Sequence, residues 1–318
     1  MDDPTTRPAS APEGGASLFH EGECAVQSRI GVRDKVAVMG PRAIRDFMPD
    51  QHRGFFAQLP FLIVGSVDAA GQPWASLLAH PPGAIDSPDP RTLRIRAHPL
   101  EADPLGDTLR PGIRLGVLGI EPHTRRRNRM NGVVEAVSDQ GFSVRVQHSY
   151  GNCPKYIRPR EAVHDAAAAA PTVWRHAGVR LDEASRRLIE RVDTFFIATA
   201  HPAAGDATAQ ESHGVDVSHR GGDPGFVRVD ADDALTVPDF VGNFLFNTLG
   251  NLELHPRAGL LFLDVDSGDR LYLAVHAQVV WDVPEVGAFP GAQRLLRLGI
   301  TQVQHLRGGV PLRWRPAG

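Results

Sequence analysis

The 318-residue sequence predicts a mainly β protein: two tandem small β-barrels with flanking helices. Three observations lead there. Strand-like runs rich in Val, Ile, Leu and Phe are short and end at Gly, Pro or Asp. Glycine and proline are plentiful, 32 and 26, which suits many turns better than a helical bundle. The order of elements also occurs twice, at an offset of roughly 140 residues, one ordinary domain each.

Residues 1–18 open with MDDPTTRPASAPEGGAS, which has no apolar core and reads as a disordered tail rather than a signal peptide. The first barrel is expected over 19–165. Its leading helix, within 41–59, is expected to split in two at Pro49 and Gly54. The strands follow in 55-FFAQLPFLIVGSVDAAGQPWASLLAHPPGAI-85, 91-RTLRIRA-97, 114-RLGVLGI-120 and 131-NGVVEAV-137, with a loop through Asp107-Thr108-Leu109. Phe142, Val144 and Val146 alternate and continue the sheet, after which 147-QHSYGNCPKYI-157 reads as a polar, aromatic loop. The run 166-AAAAAP-171 marks the seam.

The second barrel is expected over 172–318. In 181-LDEASRRLIERV-192, Leu181, Ala184, Leu188, Ile189 and Val192 share one helical face. Strands then recur in 194-TFFIATAHPAAGDATAQESHGVDVSHRGGDPGFVRV-229, 234-ALTVP-238, 258-AGLLFLD-264 and 272-YLAVHAQVV-280, with a loop through Asn247-Thr248-Leu249. Two such copies can stack face to face as a pseudo-dimer, and the cleft between non-identical halves is a preferred ligand site.

Composition narrows the function. A formal net charge of −3 gives no pull toward nucleic acid or an anionic membrane. No apolar run reaches the length of about 18 residues that a spanning helix needs. Cys24 and Cys153 make neither a disulfide framework nor a CxxC metal site, so a cytoplasmic setting is expected. No metal site is expected from HExxH or similar spacing, and no GxSxG supports hydrolase chemistry.

The candidate site residues fall in four segments. In 217-VSHRGGDPGFVRV-229, Arg220 offers a planar fork of donors, and Gly221 and Gly222 let backbone N–H groups approach an anion; a plain Gly-rich turn is the alternative. In 239-DFVGNFLFNTLGNLELHPRAGLLFL-263, Asn243, Asn247 and Thr248 are short polar residues in an apolar run, suited either to a flavin's polar edge or to helix capping; for Asn251 capping is favoured. In 121-EPHTRRRNRMNG-132, extended alternation would aim Arg125, Arg127 and Arg129 to one side. Lys155 and Tyr156 place a cation and a stacking ring in the 147–157 loop. Cys153 is read as a structural thiol. His213 and His219, six apart on a strand-like stretch, are expected on one face.

With 19-FHEGECAVQ-27, 119-GIEPHTRRRNR-129 and 147-QHSYGNCPKYI-157, these segments resemble the pyridoxamine 5'-phosphate oxidase-like, FMN-binding split-barrel proteins over nearly the whole chain after residue 18. The resemblance implies a split barrel in each copy, FMN in the groove between them, and an FMN-dependent oxidoreductase acting on a small molecule. It places His219, Arg220, Gly221 and Gly222 at the flavin-site strand end, and Asn243, Asn247 and Thr248 on the segment that reaches the ribityl phosphate. Arg125, Arg127, Lys155 and Tyr156 would form the opposite wall. Phe244 stands where the family often has a basic residue. Some similar proteins continue into a ferredoxin-reductase module, so a separate reductase or the substrate itself is the expected electron source, and homodimer formation stays open. The first copy's counterpart, 79-AHPPGAI-85 with 101-EADPLGDTL-109, brings acidic residues near the would-be phosphate, so one flavin per chain is expected. Two alternatives stand beside this reading: a haem-binding or haem-degrading split-barrel protein using His213 or His219, and a non-catalytic flavin store or sensor.

Overall fold

The computed structural model describes residues 17–231 and 233–316. Of the expected tail, only Ser17 and Leu18 fall among them. Helices α1 (Glu21–Arg29), α2 (Arg33–Ala43) and α3 (Asp50–Gln58) lead into the first sheet. Its strands are β1 (Phe61–Val67), β2 (Pro73–Ala79), β3 (Ile85–Asp86), β4 (Thr92–Ile95), β5 (Arg114–Glu121), β6 (Arg126–Ser138) and β7 (Gly141–Gly151), with α4 (Leu105–Thr108) between β4 and β5. The order across the sheet is β2-β1-β5-β6-β7-β4-β3. All seven strands contribute to a single core that includes Val64, Leu78, Ile85, Leu93, Val117, Met130 and Val144, while β2 and β3 remain the unpaired ends. A sheet closed around one core but open at its ends is a split barrel.

After β8 (Arg160–His164) and β9 (Val173–Gly178) comes α5 (Glu183–Arg191). Then follow β10 (Thr194–Ala200), β11 (Val215–Gly221), β12 (Arg228–Val229), β13 (Ala234–Phe240), α6 (Asn247–Leu254), β14 (Arg257–Leu263), β15 (Arg270–Val280), β16 (Ala292–Arg307) and β17 (Leu312–Pro316). The second sheet runs β11-β10-β14-β15-β16-β13-β12, with β9 added on β16. Strand for strand, this path matches the first. The last strand does not stay with its neighbours: β17 pairs with β8, forming a two-stranded strap.

Period-2 alternation explains why the strands read as nearly continuous apolar runs: both faces are buried. On β10, Phe195 and Ile197 enter the second barrel's core, while Phe196 and Ala198 enter a third core between the barrels. On β1, Leu62 and Val64 face the first barrel's core, while Phe61 and Ile63 face the shared one. Two glycines permit the close approach. A Cβ at Gly116 on β5 would lie 2.7 Å from the Val215 carbonyl oxygen of β11, and one at Gly259 on β14 would lie 2.1 Å from that of Pro73 on β2. The contact is therefore reciprocal: the same strand of each sheet abuts the outer strand of the other.

Local structure departs from the sequence reading in four places. Gly54 lies inside α3, and the break falls at 44–49, with Pro49 as the N-cap. The expected loop through Asn247-Thr248-Leu249 is the start of α6, and Thr108 ends the helical turn α4. Strand β7 runs on through Gly151, so the loop is shorter than 147–157. His213 precedes β11 and stacks on His201 (centroids 3.9 Å, 8° between planes), so it does not share a strand face with His219.

Candidate functional site

A cleft of about 570 Å3 opens where β6 of the first sheet meets β11, β13 and the 242–249 segment of the second. Arg127, His219, Arg220, Asn243, Asn247 and Thr248 line it, as the sequence reading grouped them. An adjoining lobe is lined by Lys155, Tyr156 and Gly221. Two candidates lie outside both linings. Arg125 sits in an exposed turn with φ +56, one residue before β6 begins, so alternation never aims it inward. Gly222 lies against the Phe226 ring, and its N–H donates to the Asp193 carbonyl.

The floor is built around Arg129, which alternation on β6 places on the same side as Arg127. Its Nη1 donates to Asp216 Oδ1 at 2.6 Å and to Asn247 Oδ1 at 3.3 Å, and its Nη2 donates to Ser218 Oγ. Thr248 Oγ1 donates to Asp216 Oδ2 at 3.0 Å. Asn247 Nδ2 donates to Glu23, a buried residue of α1. The Asn247 and Thr248 side chains are therefore engaged in holding Arg129 and Asp216. Burial is the largest influence on Glu23, and it lifts the carboxyl to about 8. Glu23 reaches this place because α1 crosses α6 at Gly22 and Gly250, where a Cβ on Gly22 would lie 2.2 Å from the Gly250 carbonyl oxygen.

The wall carries more cations. Arg127 Nε donates to the Cys153 carbonyl at 2.7 Å, and its Nη1 lies 3.3 Å from His219 Nδ1. Burial, then repulsion from Arg129, brings the Arg127 guanidinium down to about 10, so it stays charged at neutral pH. Arg220 Nη1 donates to Asp239, which Arg294 also approaches at 3.6 Å. His219 is buried, and desolvation, followed by Arg127 and Arg220, holds it well below its ordinary range, so it is neutral. A guanidinium can only donate, so His219 Nδ1 accepts and the ring proton sits on Nε2.

A Cβ on Gly221 would lie 2.1 Å from the Tyr156 carbonyl oxygen, so Gly221 admits the 152–159 loop. Tyr156 in turn stacks on Phe240 at 4.9 Å and forms the rim. Asn243 Oδ1 accepts from the Leu245 N–H, which points its Nδ2 at Asn152 Oδ1 (2.8 Å).

Residues that the site uses but the sequence reading left out include Asp216, Ser218 and Glu23. Asp216 and Ser218 were findable, since they alternate with Arg220 on β11. Glu23 lies in the quoted 19–27 motif, but nothing local ties it to Asn247.

Residues 48–175 match the family model described as pyridoxamine 5'-phosphate oxidase; the strand that carries His219 and Arg220 lies beyond that match. No curated protein matches the chain. Among solved structures, one from Lactobacillus delbrueckii, named for a pyridoxamine 5'-phosphate oxidase, is 19% identical with a TM-score of 0.30, covering 40% of this chain and 94% of its own. HupZ of Group A Streptococcus is 14% identical at TM-score 0.30, covering 41% of this chain and 98% of its own. HutZ of Vibrio cholerae, named as a heme storage protein, is 13% identical at TM-score 0.26, covering 41% of this chain and 96% of its own. Among the described residues no helix is long and apolar enough to cross a membrane.

Proposed function

We propose, from the match of residues 48–175 to the pyridoxamine 5'-phosphate oxidase family model, that the chain is an FMN-binding oxidoreductase with one flavin site per chain. In this reading the two barrels act as a fused pair, and the cofactor lies in the cleft between β6 and β11. The observation that carries it is the chemistry of the wall. Three guanidiniums, on Arg127, Arg129 and Arg220, face two carboxylates, Asp216 and Asp239, which leaves an excess of positive charge. Arg129 Nε, Arg220 Nε and Asn152 Nδ2, all donors and all buried, also lack a partner among the described residues. A wall of surplus cations and unused N–H groups suits an oxygen-rich anion such as a flavin's phosphate or its pyrimidine carbonyls.

The residues would divide the work as follows. Arg129, fixed by Asp216, Ser218 and Asn247, presents a rigid charge that needs no reordering on binding. Arg220 and Arg127 approach from two further sides, and Tyr156 and Phe240 cover the rim. FMN supplies hydride or single-electron chemistry when bound, and the protein orients it and excludes water. The His219 ring, neutral and with its proton on Nε2, is a hydrogen-bond donor and not a proton reservoir.

The same tautomer weighs against the haem alternative. An imidazole whose Nδ1 accepts from Arg127 has no lone pair left on Nε2 for iron. His213 is stacked on His201 and lines neither lobe.

The absorption spectrum of the purified full-length chain, before and after addition of FMN, tests the proposal. Two visible flavin bands that shift and sharpen on binding are expected. A Soret band in the protein as isolated, or a flavin spectrum unchanged by the protein, would overturn it.

A further inference from the structure

Beyond His219 lies a second cavity, of about 410 Å3, and its chemistry is unlike that of the cleft. Phe61 and Ile120 from the first barrel, Phe196, Leu263 and Val265 from the second, and Trp314 from the strap form its walls. Phe61 meets Trp314 edge to face at 5.4 Å. The cavity is thus a slot closed by both barrels and by β17, the strand that leaves the second sheet to pair with β8. Its lining resembles that of small-molecule sites, which are mostly apolar with a few placed polar groups.

The polar groups here are few. Arg158 and Arg160 line the slot, but Asp223 and Asp193 pair with them, so the apolar walls meet a nearly balanced set of charges. His219 is the exception. It lines both the slot and the cleft, and its Nδ1 is taken by Arg127. Its Nε2–H makes no hydrogen bond to any described residue. An uncharged N–H at the edge of an aromatic slot calls for a ligand with an oxygen acceptor on a flat apolar body.

We propose that this slot is a second ligand site, taking a planar aromatic molecule that bears a carbonyl or carboxylate, with the acceptor on His219 Nε2 and the ring among Phe61, Phe196 and Trp314. Placing that molecule beside a flavin rests on the reading of the cleft given above; the slot's own preference does not. The ring is held by dispersion and burial, and the acceptor completes a donor that is otherwise left unused.

The test is calorimetric titration of the full-length chain with 2-naphthoate, with and without saturating FMN. One naphthoate per chain is expected in both cases. Val265→Trp, at the half-buried end of the slot and outside the cleft, should weaken naphthoate at least tenfold and leave FMN affinity unaltered. Trp314→Leu, checked for an unchanged far-ultraviolet spectrum, should weaken it in the same direction by removing an aromatic wall. Failure of naphthoate to bind the wild type, equal binding by Val265→Trp, or mutual exclusion of naphthoate and FMN would each overturn the proposal. Binding of naphthoate, lost in Val265→Trp, by a chain that takes no FMN would sink the flavin reading and leave the slot standing. Binding of FMN without naphthoate would do the reverse.

Discussion

Two positions in the molecule are counterparts by topology and opposites in chemistry. Two residues beyond Gly116 on β5, Leu118 pairs with Arg129 of β6; two residues beyond Gly259 on β14, Leu261 pairs with Tyr272 of β15. Arg129 borders an open cleft with its Nε unpartnered. Tyr272 is fully buried, and its hydroxyl donates to Asp103 at 2.7 Å. Asp103 also accepts from the Leu77 and Leu105 backbone N–H groups, and Arg270 donates to the Tyr272 oxygen at 3.3 Å. The second position has been filled by the protein's own side chains, and its carboxylate would repel a dianion. The difference teaches that a duplicated fold can specialise by what stands at one register position. A guanidinium there leaves donors for a ligand, whereas a phenol closes the site from within.

The comparison can be broken most sharply at Arg129. Arg129→Ala should destabilise the chain by about 3–5 kcal/mol, because Asp216 is left buried without its partner, and should abolish flavin retention. The urea midpoint and a flavin titration read the two effects separately. Arg220→Ala should cost about 1–3 kcal/mol of flavin affinity, read as a rise in Kd, since its charge faces the same cleft; an unchanged Kd would reject its role. On the closed side, Tyr272→Phe should cost about 1 kcal/mol of stability by removing one hydrogen bond to Asp103, with flavin affinity unmoved; a change in affinity would mean the closed position communicates with the cleft.

The remaining effect is a slope with pH, not a change at one position in the cleft. Glu23 has a folded value near 8 against an ordinary 4.5. Between those values the native state holds a proton that the unfolded chain has released, so stability falls as pH rises through that window. The carboxyl of Asp103 is raised as well, chiefly by burial, and adds to the slope with the same sign. Glu23→Gln should flatten the slope by Glu23's share and leave that of Asp103, as denaturant midpoints from pH 5 to 9 would show. His20, held near 4 mainly by burial, acts in the opposite sense below about 6.5, its ordinary value, where the unfolded chain takes up protons first.

The sequence shows the mainly β class clearly because the strands bury both faces and end at Gly, Pro and Asp. Arg127 and Arg129 are legible through alternation, and His219 and Arg220 through their glycine-flanked motif. Helix α6 is not. Its first turn carries Asn247, Thr248 and Gly250, which favour a loop reading, and what holds it helical is the crossing with α1 at Gly22. Glu23 is hidden for the same reason: it reads as the third residue of a capping box, and its partner lies 224 residues away. Gly221 is conspicuous in the sequence, but the Tyr156 loop that it accommodates is not.

The central claim is that one of two matched positions binds flavin and the other is closed. Equilibrium dialysis of the full-length chain against FMN tests it most directly. The account predicts one FMN per chain, lost in Arg129→Ala and kept in Tyr272→Phe; zero, or two, would contradict it.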